Sequence, residues 1–139
     1  MQRAFWTSLL LAAAVVVGGC DNDVGNTPTE PAPTTTDTFT GTININGAMT
    51  HTFPIVAAGT VTATLTEVTP DATVAVGFAL GTWNASASTC QQVIPNDAAL
   101  QGLILTGNVA GAGTLCVRLY DPGSKLTGPV GYTVTVVHP

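Results

Sequence analysis

The chain has 139 residues, of which 45% are hydrophobic and 8% charged, and its formal net charge is -5. That length fits one domain, and three Lys and Arg in total cannot form the basic cluster that nucleic acid or an anionic lipid surface requires. Nucleic acid is therefore excluded as a partner, and the wealth of Thr, Val, Ala and Gly favours strands over helices, because β-branched side chains pack well on a pleated surface.

Residues 1–19 read as an export signal. Arg3 supplies a positive start, and Phe5 to Val17 is apolar except for Thr7 and Ser8. A helical span takes about 20 apolar residues, so the segment is short for a permanent crossing. It ends in Val17, Gly18, Gly19 and Cys20 rather than in an A-x-A site. An aliphatic residue, two small ones and a cysteine resemble the lipobox of bacterial lipoproteins. The resemblance implies cleavage before Cys20, a diacylglycerol on its thiol and usually a third, amide-linked chain. The partner would then be membrane lipid, and the location the bacterial cell envelope with the domain facing periplasm or exterior. One acyl chain anchors only marginally, whereas several, at about 0.8 kcal/mol per buried CH₂, anchor stably. The alternative is an ordinary signal peptide that happens to carry a cysteine. Asp21 leaves inner against outer membrane open.

Residues 20–37 read as the lipidated N-terminus and a tether. "NTPTEPAPTTTD" holds Pro28, Pro31 and Pro33 among threonines without apolar periodicity, and such composition cannot offset its ordering entropy. Pro-rich chain extends at about 3.1 Å per residue, which holds a domain on the order of 50 Å from its anchor.

Residues 38–139 read as an all-β domain. "TFTGTININ" alternates from Thr38, and Asn46-Gly47 marks a turn before "THTFPIV". "GTVTATLTEV" gives the clearest period of two: Val61, Ala63 and Leu65 share one face, Thr62, Thr64 and Thr66 the other. After Pro70-Asp71, "ATVAVGFALG" places Val74, Val76, Phe78 and Leu80 on one face. Small residues at 75, 77 and 79 occupy the opposite face, which implies close coverage or a bland surface. Residues 83–97 show no period and read as a long loop. "ALQGLILTG" and "GTLCVRLYD" read as strands, the second with Leu115, Val117 and Leu119 inward and Cys116, Arg118 and Tyr120 outward. Asp121-Pro122-Gly123 makes a turn, and "GYTVTVVH" closes the chain with Tyr132, Val134 and Val136 on one face. About seven short strands predict an antiparallel, jelly-roll-like β-sandwich.

Phe53 before a short strand, Ala58-Gly59-Thr60 leading into Val61 to Leu65, Gly113 to Tyr120 and the closing Gly131 to Val136 together resemble the bacterial pre-peptidase C-terminal domain. That resemblance implies a β-sandwich. The family usually rides beside a secreted hydrolase, and this chain shows no such domain, so the resemblance speaks to fold more than to role. Its frequent acidic, aromatic-containing strand is replaced here by residues 74–80.

Apart from Cys20, the cysteines are Cys90 and Cys116. In an exported protein such a pair is usually bridged. The alternative is a metal site, but zinc needs clustered ligands and these two stand apart from any His. No cofactor or metal is expected. His51 reads as an exposed strand residue and His138 as solvated or frayed. Asp71, Asp97 and Asp121 read as turn residues, with calcium coordination at strand ends as the rival. Asn84-Ala85-Ser86 fits a glycosylation sequon. No catalytic motif occurs, so the chain reads as a non-enzyme.

Three functions compete: a binding or accessory module with an unknown protein or glycan ligand, a structural or assembly component of the envelope, and a hydrolase. Trp83 is the candidate ligand contact, because an exposed loop aromatic serves recognition. Its rival role is a core plug capping one end of the sandwich.

Overall fold

The computed structural model describes Glu30 and residues 32–139. The segment expected to be an export signal, Cys20 and most of the expected tether lie outside the described residues. Eight strands follow one another: β1 Thr35–Ile43, β2 Ala48–Ile55, β3 Gly59–Thr69, β4 Val76–Asn84, β5 Thr89–Ala99, β6 Ile104–Val109, β7 Gly113–Tyr120 and β8 Val130–His138. They form two four-stranded antiparallel sheets, in the orders β1-β8-β3-β6 and β2-β7-β4-β5.

The pairing is nested. β4 pairs with β5, β3 with β6, β2 with β7 and β1 with β8. The chain is thus one long hairpin whose apex joins β4 to β5. Rolling it up adds the β3–β8 and β4–β7 ladders and produces a jelly roll. Alternation decides which residues meet between the sheets. In β3, Val61, Ala63 and Leu65 are fully buried, and so are Val134 and Val136 in β8 and Val117 and Leu119 in β7. Phe53 and Phe78 are the bulkiest fully buried side chains of this core. Leu115 is half-buried and packs against its edge.

The structure changes several expectations. The strands number eight because residues 83–97 are not a loop. Trp83 is the next-to-last residue of β4, a tight turn follows Asn84, and β5 runs back along β4. β5 hides its period because its register slips twice, between Val76 and Phe78 and between Leu80 and Gly81. It holds Pro95, which an edge strand tolerates because one side of its backbone needs no partner. The strand expected over "ALQGLILTG" is half turn: Leu103 N donates to Leu100 O at 3.0 Å and Gly102 sits at φ +90°. Val74 lies before β4. β1 begins at Thr35, three residues ahead of the expected start, and Thr35 pairs with His138.

Both histidines are misjudged by a reading of position alone. His138 continues the inward series of Tyr132, Val134 and Val136, and is buried at 3% exposure. Its Nε2 lies 3.0 Å from Asp37 Oδ2 on β1. His51 shares the inward face of β2 with Phe53, is half-buried, and stacks on Phe39 with ring centroids 4.9 Å apart. These rings close the open side of the sandwich between the β1 and β2 edges. Gly41 makes room there: a Cβ at that position would collide with the Tyr132 phenol.

Candidate ligand-contact face

The outer face of the β2-β7-β4-β5 sheet carries the sequence-predicted residues Trp83, Cys90 and Cys116 together. β7 is central. Its outward residues are Cys116, Arg118 and Tyr120, which pair with Thr52, Thr50 and Ala48 of β2 on one side and with Gly81, Ala79 and Gly77 of β4 on the other. The small side of β4 is therefore close coverage: Val76 to Gly81 are buried without a break.

Two groups cross β4 from β7 to β5. Tyr120 lays its ring over Gly77, where a Cβ would overlap the ring, and its hydroxyl donates to the Asp97 carboxylate on β5. Four residues along β4, β5 folds over Gly81. A Cβ there would overlap the Gln91 carbonyl oxygen and lie 2.8 Å from its carbon. That fold-over brings Cys90 to Cys116, which form a disulfide with Cα atoms 5.8 Å apart across 26 residues of sequence. The bridge buries Cys116 completely although it lies on the outward face. The Tyr120 phenol is pushed up to about 12, by burial first and by its bond to Asp97 second, so it stays a neutral donor.

Between the two crossings stands Arg118, over Ala79. Its guanidinium lies 5.6 Å from the Tyr120 ring centroid, within cation–π range. Trp83 is half-buried and adjoins it. The two line a shallow depression of about 290 Å³ with Thr50, Ser88, Thr89 and Cys90. Trp83 is thus a strand residue of the outer face and not a plug of the core. Sequence reasoning placed Arg118 and Tyr120 outward but assigned neither a role. Their neighbourhood depends on β4 lying between β7 and β5, which no local pattern encodes.

The remaining candidates serve the fold. Asp71 accepts from the Thr73 N–H and hydroxyl, both at 2.8 Å, and these bonds hold its carboxyl below the usual range. Burial would raise Asp121, yet three backbone N–H donors, from Asn46, Leu126 and Lys125, bring it below the ordinary value. Among the described residues no group of three or more His, Cys, Asp or Glu is placed to hold a metal ion. Also among the described residues, no helix is long and apolar enough to cross a membrane.

His51 has a measurable consequence. Its Nε2 lies 2.7 Å from the Tyr132 hydroxyl, and burial lowers its pKa from 6.5. The folded state therefore binds fewer protons than the unfolded chain. The resulting stability is complete above about pH 6.5 and is lost as pH falls through the folded value. Replacing His51 by Phe keeps the stack on Phe39 and should flatten the fall in melting temperature between pH 7 and 5. An unchanged slope in the variant would remove His51 as its source.

Comparison with protein-family models gives no match for this chain, and comparison with curated proteins gives none either.

Proposed function

We propose that the protein is a bacterial envelope lipoprotein, anchored through acylated Cys20, whose jelly roll is a non-enzymatic binding or accessory module held off the membrane by the Pro/Thr-rich spacer. The observation that carries the anchor is the Val17-Gly18-Gly19-Cys20 box at the end of a short apolar segment. A binding role is supported by the outer face, where an indole, a guanidinium and hydroxyls line one depression. The non-enzymatic reading is supported by the engagement of both imidazoles, which bond Tyr132 and Asp37 between the sheets.

A second reading, an assembly component of the envelope, is favoured by the far side of the sandwich. There the β5 and β6 edges expose Val93 at 65% and Ile104 at 56%, and an unpaired apolar edge invites a partner strand. A hydrolase is the least supported of the three.

The anchor is tested by growing cells with labelled palmitate, with and without globomycin. Wild type should take label and Cys20→Ser should not, and globomycin should trap the uncleaved precursor. Absence of label on wild type removes the lipoprotein reading.

A further inference from the structure

Arg118 carries more than the fold asks of it. It stands on the central strand of its sheet, half-buried, with Thr50 on one side and Ala79 on the other. Among the described residues its guanidinium makes no hydrogen bond and no ion pair. Asp97, the nearby carboxylate, bonds the Tyr120 hydroxyl instead. A guanidinium has five N–H donors in a planar fork that matches a carboxylate. Here the guanidinium lies 5.6 Å from the centroid of the Tyr120 ring, which lies over Gly77 and bonds Asp97 through its hydroxyl. That contact restricts the guanidinium before any ligand arrives, and a restricted side chain loses less freedom on binding.

The surroundings narrow the ligand. The depression beside Arg118 offers the Trp83 indole together with the hydroxyls of Thr50, Ser88 and Thr89. An aromatic face accepts the C–H side of a sugar ring, short hydroxyls exchange hydrogen bonds with ring hydroxyls, and the guanidinium takes an acidic group. A purely apolar peptide would leave the donors of Arg118 without partners. From this set we infer that the outer face of the β2-β7-β4-β5 sheet binds a carboxylate-bearing oligosaccharide, with Arg118 receiving the carboxylate and Trp83 carrying the sugar ring. The inference rests on the binding-module reading above and specifies its ligand. The protein is acidic overall, but charges beyond about 8 Å are screened at physiological salt, so the local guanidinium decides.

The test uses the full chain in detergent micelles and calorimetric titration with tetragalacturonate and with its carboxyl-reduced counterpart. A fork-to-carboxylate contact is worth enough that the acidic tetramer should bind at least about tenfold more tightly than the reduced one. Arg118→Gln should bring the two affinities together. Arg118→Lys should fall between, since an ammonium keeps the charge and loses the fork. Trp83→Ala should weaken both ligands. Melting temperatures of the variants establish that each is folded. Equal affinity for both tetramers in wild type, lost in Trp83→Ala, overturns the acidic specificity and leaves the face as a binding surface. Binding of neither tetramer overturns the inference. Acidic-tetramer binding that survives both Arg118→Gln and Trp83→Ala places the ligand elsewhere and overturns the face as well.

Discussion

Leu65→Ala should destabilise the protein by about 2–5 kcal/mol, while Thr64→Ala, one residue earlier, should cost well under about 1 kcal/mol. The difference is one of parity. Leu65 is completely buried between the sheets among Val61, Phe78 and Val134 of the same core. Truncating it removes apolar contact and leaves a cavity that β3 cannot collapse, because its backbone is bonded to β8 and, through Leu65 N to Leu103 O at 2.9 Å, to the turn before β6. Thr64 faces outward, opposite Thr135, and its loss leaves no void. Denaturant unfolding of both variants provides the measurement. Equal effects at the two positions would mean that the facing of β3 is wrong.

Gly81→Val should prevent the disulfide from forming. At this position the added atoms meet the Gln91 backbone, which cannot rotate aside as a side chain can, so β5 must lift away from β4 and carry Cys90 out of reach of Cys116. Overpacking costs about 1–3 kcal/mol, and loss of a bridge over a loop of this size about 3 kcal/mol. Their sum is a large part of the 5–15 kcal/mol of an ordinary domain. Thiol alkylation without reductant, followed by peptide mapping, should show Cys90 joined to Cys116 in wild type and both alkylated in the variant. Gly77→Ala provides the control: it meets the Tyr120 ring, a side chain that can swing, and should keep the bridge. A bridged Gly81→Val with wild-type melting would refute the fold-over as the reason for glycine.

Much of this architecture is legible in the chain, for reasons that are themselves physical. β8 alternates throughout, and β3 does so from Val61 to Leu65 before its register slips, because one face of each is buried and the other wet, and period two records that asymmetry. β5 is illegible for the opposite reason. It is an edge strand with two slips, so Gln91, Gln92, Val93 and Ile94 follow one another without alternation. His138 was within reach, since it stands two residues beyond Val136 in an inward series, and so was His51, two before Phe53. The outer face around Arg118 lies between these extremes. Its residues could be assigned an outward direction, but Tyr120 meets Asp97 and Cys116 meets Cys90 across an intervening strand. Only the β4–β7 ladder of the rolled-up sheet reveals which strand intervenes, and Gly77 and Gly81 are its trace in the chain.

The nesting also determines the order in which the protein can become itself. β1 has one partner, β8, and their pairing joins Thr35 to His138, so the earliest of these strands to leave the ribosome waits for the last. Of the strands that pair with each other, β4 and β5 alone are joined by a short turn; the other ladders close long stretches of chain, and such folds assemble slowly. Through that interval β1 is an unpaired strand, the kind of segment that aggregates. Its composition suits the wait. Thr35, Thr36, Thr38, Thr40 and Thr42 keep it hydrated, and Phe39 and Ile43 are its only large apolar residues. The threonines on this strand protect a nascent chain as much as they clothe a finished one.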